Sequence, residues 1–162
     1  MNTSNSLAMI DVDVSDTQDH LRVDRRSIID LVRRTLALEG VRSASISLVL
    51  VDDATIHRLN RLHLQHDWPT DVITFPLSTS DDEELSGEVV VSAETAACVA
   101  AEPMAELALY IVHGLLHLRG YDDQDPESIV AMRRREGEVL SALQQVGHFS
   151  IADGRGGEPC RR

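Results

Sequence analysis

The sequence predicts an α+β protein, a small mixed four-stranded sheet packed with about five helices. Three observations predict it. Short β-branched runs alternate with amphipathic stretches in the order β-α-β-α-β-β, and helices follow. One stretch, Met104 to Arg119, is apolar almost all round, the mark of a helix at the centre of a fold. The chain has 162 residues of which 43% are apolar, enough for one ordinary core and short for two.

Leu7 to Val14 places apolar residues at Met9, Ile10, Val12 and Val14 and is expected to form the first strand. From Asp24, a capping residue, Ile28, Ile29, Leu31, Val32, Leu36 and Leu38 recur at helical spacing up to Gly40, which can end the helix. Ser45 to Val51 suits a strand buried on at least one face. Asp52 or Asp53 caps a helix carrying Ile56, Leu59, Leu62 and Leu64, and Trp68-Pro69-Thr70 breaks it. Asp71 to Phe75 reads as a brief strand stopped by Pro76. Leu77 to Ser86 reads as an acidic exposed loop, and Gly87 to Ser92 as another strand. Ala93 to Glu102 is alanine-rich and helical, and Pro103 fits the first turn of the central helix. Asp125-Pro126-Glu127 opens a last helix to about Gln145, with Ile129, Met132, Val139, Leu140 and Leu143 inward. One domain over residues 1–146 is expected, with 147–162, Gly-rich and aperiodic, as a disordered tail.

Counts of 15 Lys and Arg against 27 Asp and Glu give a formal net charge of −12. Such a chain does not coat nucleic acid electrostatically, which requires clustered cations, but an enzyme touching nucleic acid at one local site remains compatible. No stretch approaches the roughly 18 uninterrupted apolar residues of a membrane span. The N-terminus lacks the basic cluster and apolar run of a secretory signal. Two cysteines, Cys98 and Cys160, do not build a disulfide framework or a cysteine-rich zinc site. A cytoplasmic protein is expected.

Of seven histidines, His20, His57, His63, His66 and His148 read as surface or capping residues. His113 and His117 differ, because they lie four apart on the most apolar helix and project from nearly the same face. Two adjacent buried imidazoles are not satisfied by leucines alone. They can share one cation, like the helical pair of zinc-binding HExxH proteins, which makes the central helix zincin-like. The plainer alternative is a core helix with two hydrogen-bonded histidines and no metal. Gly120 lets the helix stop and the chain turn back, bringing Tyr121-Asp122-Asp123 beside the histidine face. Asp123 then offers a carboxylate oxygen as third ligand. Three protein ligands leave a fourth position for water, the arrangement of catalytic zinc.

His113-Gly114-Leu115-Leu116-His117-Leu118-Arg119-Gly120-Tyr121-Asp122 resembles the HGxLHLxGYD signature of the YbeY family. Leu59-Asn60, Asp67, Pro69-Thr70-Asp71-Val72 and Phe75-Pro76 resemble its LN…D-PTDV-SFP block, and Gly87-Glu88-Val89-Val90-Val91-Ser92 is similar to its GDI-IS strand. The resemblance covers roughly Leu7 to Gln145. It implies a metal-dependent, single-strand-specific endoribonuclease that matures the 3′ end of small-subunit ribosomal RNA and serves ribosome quality control. The implied partners are RNA and the small ribosomal subunit, with ribosomal proteins or an assembly GTPase as further candidates, and no membrane.

Two departures from the family pattern matter. The family's third metal ligand is a histidine where this chain has Asp123, so the set becomes two imidazoles and a carboxylate. Zinc is the expected ion, and the oxygen ligand brings Mn²⁺, Fe²⁺ or Ni²⁺ into range. The same set occurs in non-haem iron oxygenases, which nothing else in the sequence suggests. An arginine that the family pattern places at position 64 is leucine here, which does not bind phosphate, and Arg61 or His66 is left as a substitute.

The expected chemistry is hydrolysis of RNA phosphodiester bonds, with His113, His117 and Asp123 holding the metal and Asp71, Glu88 or Asp122 as candidate bases. Gly114 occupies the position of the glutamate base in HExxH proteases, which disfavours peptide hydrolysis but leaves a metalloprotease-like hydrolase as an alternative. The other alternative is a binding module in which the cation pins the loop from Gly120 to Asp125 and function lies in ribosome-assembly contacts.

Overall fold

The first two strands alternate in burial as β-branched runs demand, and the last strand ends on Ser92, which caps the helix that follows it. The structure, a computed structural model, describes residues 8–64 and 70–145. His66, the Trp68-Pro69 break, His148, Cys160 and the expected tail lie outside the described residues. β1 (Met9–Asp16) leads to α1 (Arg25–Leu38), β2 (Ser43–Val51), α2 (Asp53–Leu64), β3 (Val72–Pro76), β4 (Leu85–Ser92), α3 (Ala93–Val99), α4 (Pro103–Leu118) and α5 (Pro126–Gln145). The sheet order is β1-β2-β4-β3. β1, β2 and β4 run parallel, and β3 lies antiparallel on the edge beside β4.

The expected caps at Asp24, Asp52 and Asp125 form, and Ser92 adds one that the sequence pattern did not single out. Asp24 accepts from the Ser27 amide at 3.2 Å, Asp52 from Thr55 at 2.8 Å, Ser92 from Thr95 at 3.1 Å and Asp125 from Ser128 at 2.9 Å. Several boundaries differ from expectation: β1 runs to Asp16 rather than Val14, β2 starts at Ser43 rather than Ser45, and β3 takes in Pro76. β4 begins at Leu85 rather than Gly87, because Leu85 and Ser86 find ladder partners in Ala44 and Ser45 of β2. α3 ends at Val99 rather than Glu102. Ala100 is extended, and Glu102 precedes Pro103, whose ring disfavours helical backbone in the residue before it.

The larger core lies between the sheet and α1, α4 and α5, with Val89, Val91, Leu107, Ile111 and Leu115 at its centre. A smaller cluster on the opposite sheet face joins Val51, Ile73 and Val90 to Ile56 of α2. α4 is set against β3 and β4 by two glycines. A Cβ on Gly114 would stand 2.5 Å from Val89 Cγ1, and one on Gly87 would stand 2.7 Å from Leu118 Cδ2. The missing side chains let helix and sheet backbones approach, and that approach fixes where α4 presents its polar face. α5 is tied to the end of α1 by Arg135, which donates to Glu39 Oε1 at 2.8 Å and to the Leu38 carbonyl at 3.0 Å.

Candidate metal centre

His113 and His117 occupy the one stripe of α4 that the core leaves half-buried. Their rings stand 4.5 Å apart at 82°, and their Nε2 atoms approach to 3.0 Å. The helix stops just beyond them. Gly120 takes a φ of +100°, its amide donates to the His117 carbonyl at 3.0 Å, and the Tyr121 amide donates to Leu116 at 3.0 Å. That pair of bonds is a Schellman closure, and the left-handed residue in it favours glycine. The reversed chain brings back Asp122, whose carboxylate accepts from the Asp123 amide at 2.7 Å. Asp123 Oδ2 then lies 3.5 Å from His113 Nε2 and 3.4 Å from His117 Nε2.

The three atoms form a triangle with edges of 3.0 to 3.5 Å. Donor atoms around a tetrahedral cation with bonds near 2.0–2.2 Å are separated by about 3.3 Å, so the set fits a divalent ion. With both Nε2 atoms deprotonated, as ligation requires, their lone pairs would repel at this distance, and a shared cation would relieve the repulsion. The donor chemistry agrees. Glu136 Oε1 lies 2.5 Å from His113 Nδ1, so Nδ1–H donates to the carboxylate and Nε2 is left as the bare acceptor a metal requires. His113, His117 and Asp123 could therefore hold a metal ion. Burial works against protonation of His113, but the hydrogen bond and charge of Glu136, with Asp123 and Asp71 behind it, outweigh burial and hold its pKa above the ordinary imidazole value.

A cavity of about 330 Å³ opens beside this triangle. Asp71 lines it together with His113 and Asp123, so the structure brings this sequence-predicted residue to the site. Glu88 is not brought there. Side chains alternate along β4, Val89 faces α4, and Glu88 therefore points with Val90 to the opposite face, where it accepts from Ser47 Oγ at 3.1 Å. Asp122 is outside the lining and serves the turn. Among the other histidines, His20 sits 3.6 Å from Glu94, and His63 meets the Phe75 ring edge-on at 5.7 Å.

Four polar lining residues were not singled out from the sequence: Glu106, Tyr110, Arg133 and Glu136. Tyr110 is buried, and burial together with the charges of Asp71 and Glu106 raises its pKa, so its hydroxyl remains a donor. A signal for Glu136 did exist. It falls four residues after Met132 and three before Val139, a carboxylate on the otherwise apolar inward stripe of α5. Gly114 explains the absent protease base in physical terms. That position faces Val89 and Val72 of the sheet, so any side chain there would enter the core rather than the cavity.

The family model described as Endoribonuclease YbeY matches residues 13–144. A Rhodopirellula baltica protein named endoribonuclease YbeY is 43% identical over 133 residues, 78% of this chain and 66% of that protein. The proteins of that name from Carboxydothermus hydrogenoformans and Pelotomaculum thermopropionicum are 38% and 41% identical over 81% and 80% of this chain, and 96% and 95% of their own lengths. The solution structure of TM1509 from Thermotoga maritima shares the fold, with a TM-score of 0.54 at 24% identity over 85% of this chain and 93% of that one. Matching nearly all of the described residues, the chain belongs to the YbeY endoribonuclease family.

Proposed function

We propose that this protein is a metal-dependent endoribonuclease acting on single-stranded RNA in ribosomal RNA maturation, with His113, His117 and Asp123 as its metal ligands. The observation that carries this reading is the triangle of two Nε2 atoms and one carboxylate oxygen at the wall of an open cavity, in a chain of this family. A divalent ion bound there supplies Lewis-acid polarisation of a phosphoryl oxygen and activation of water. The remaining work belongs to the chain. Glu136 orients the His113 ring and sets its tautomer, Asp71 stands in the same cavity to take a proton, and Tyr110 holds a hydroxyl donor at its wall.

Zinc is the ion proposed, with Mn²⁺, Fe²⁺ or Ni²⁺ as competitors because Asp123 is an oxygen donor. The substrate would be a ribosomal RNA precursor in the cytoplasm, met on the small ribosomal subunit. Ribosomal proteins or an assembly GTPase would be its protein partners, and the working unit would be one domain over 1–146. Among the described residues no helix is long and apolar enough to cross a membrane.

Two measurements test the reading together. Metal bound to purified protein should approach one ion per chain and fall in His117→Ala. Single-stranded RNA should be cleaved by the native protein and left intact by His113→Ala. Equal metal content in both proteins, or cleavage unchanged by the substitution, overturns it.

A further inference from the structure

The cavity beside the metal triangle is lined by the carboxylates of Asp71, Glu106, Asp123 and Glu136. An RNA phosphate entering it meets four negative groups in a chain already carrying a net charge of −12. Apart from histidine, one cationic side chain among the described residues lines the same cavity, and it is Arg133. Arg133 sits three residues before Glu136 on α5, so the two side chains leave neighbouring points on one helix face. Glu136 is turned toward His113 Nδ1 rather than toward Arg133. Arg135, by contrast, is held by Glu39 and Glu138, whereas no ion pair engages Arg133 among the described residues. An arginine beside so many carboxylates yet bound to none keeps its planar fork of donors available for a ligand.

We propose that Arg133 is a substrate-binding residue whose guanidinium grips the non-bridging oxygens of an RNA phosphate at the cavity mouth. This rests on the nuclease reading above and adds to it the cation that an acidic cavity needs beside its metal. Guanidinium suits the task because its paired N–H groups match two phosphate oxygens and its charge persists at any working pH. The α5 backbone that carries it is fixed from two sides, by Arg135 on α1 and by Glu136 on α4. The backbone at Arg133 is thus fixed relative to the ligand triangle, and the side chain reaches from there to a phosphate beside His113 and Asp123.

The test uses Arg133→Ala and Arg133→Lys, with the exposed, non-lining Arg134→Ala as control. Three quantities are read: bound metal, KM and kcat on a single-stranded oligoribonucleotide, and binding of the same labelled oligomer to metal-depleted protein over a range of salt. Arg133→Ala should keep its metal, raise KM by about 10- to 100-fold, and weaken oligomer binding in the metal-depleted state. Its log–log salt slope should shrink by about 0.7, the share of one phosphate contact on a single strand. Arg133→Lys should recover part of the affinity as a point charge without the fork. Arg133→Ala indistinguishable from Arg134→Ala in both KM and binding, while the native protein cleaves RNA, overturns the inference alone. Loss of metal in Arg133→Ala in step with lost binding also overturns it, by making the residue structural. A native protein that cleaves no RNA removes the nuclease reading, and this inference with it.

Discussion

Glu136 and His113, 23 residues apart in sequence, meet at 2.5 Å between Oε1 and Nδ1 where α5 packs on α4. The Glu136 side chain is 13% exposed, so the contact is shielded from water on most sides. A carboxylate behind a ligating imidazole does three things at once: it fixes the ring orientation, selects the tautomer with a free Nε2, and makes that nitrogen more basic. It also couples the packing of the last helix to the chemistry of the central one.

Glu136→Ala should therefore lower zinc affinity by about 10- to 100-fold, the usual effect of removing such a partner. Glu136→Gln should lose less, since its amide oxygen still accepts from Nδ1–H while the charge is gone. Competition with a chromophoric chelator measures both. Unaltered affinity in Glu136→Ala would mean that His113 is oriented by packing alone.

The same contact makes metal-free and metal-bound protein respond to pH in opposite directions. In the metal-free state the pKa of His113 is raised on folding. A raised pKa contributes stability that is complete below the unfolded value near 6.5 and disappears as pH climbs through the folded value. Metal binding instead requires the imidazole deprotonated. Between about pH 8 and pH 6, the Tm of metal-free protein should rise relative to His113→Gln, whereas the Tm increment produced by saturating zinc should shrink. Differential scanning calorimetry with and without zinc checks both slopes, and parallel slopes would contradict the assignment of Glu136 as the charge behind His113.

Much of this was legible in the chain because its local signals agree with one another. Asp24, Asp52 and Asp125 announce helix starts, Gly120 announces a left-handed stop, and His113 and His117 share a face by spacing alone. Asp123 was reachable because a Schellman turn returns the chain by a known path. Glu88 misled because a conspicuous acid near a site-forming block says nothing about which face of a strand it occupies. One residue of register separates the cavity face from the α2 face. Glu136 shows in the sequence as a carboxylate on the apolar stripe of α5, but its partner, like the role of Arg133, depends on how α5 crosses α4, a tertiary relation that periodicity within α5 does not contain.

As the proposed third ligand, Asp123 would set metal preference, because it would place a harder oxygen donor beside two nitrogens. Asp123→His should raise the ratio of zinc to manganese affinity, and Asp123→Ala should weaken both ions by removing one of three ligands. Titrations of each ion against the native and substituted proteins give the ratio directly. If Asp123→His leaves the ratio unmoved, the aspartate does not reach the ion.

Gly114 connects the core to the site most tightly. The Cβ of Gly114→Ala would lie 2.5 Å from Val89 Cγ1 and 3.1 Å from Val72 Cγ1, and Val89 is fully buried in the core. A β-branched side chain has little rotameric freedom with which to yield, so α4 must lift from the sheet. Overpacking of this kind costs about 1–3 kcal/mol, which lowers Tm by roughly 2–4 °C per kcal/mol in a chain of this length. Gly87→Ala presses instead on the terminal methyl groups of Leu118, at 2.7 and 2.9 Å, which can rotate away at the rim of the core, and it should cost less. The decisive variant is the double one. Val89→Ala opens the space that Gly114→Ala fills, so the pair should be more stable than the sum of the single effects, with a favourable coupling of about 0.5–3 kcal/mol. Lifting α4 also displaces His113 and His117 from Asp123, so Gly114→Ala should bind zinc more weakly and Val89→Ala should restore part of that affinity. Additive stabilities and unaffected zinc binding would show that the close approach of α4 to β4 does not position the ligands.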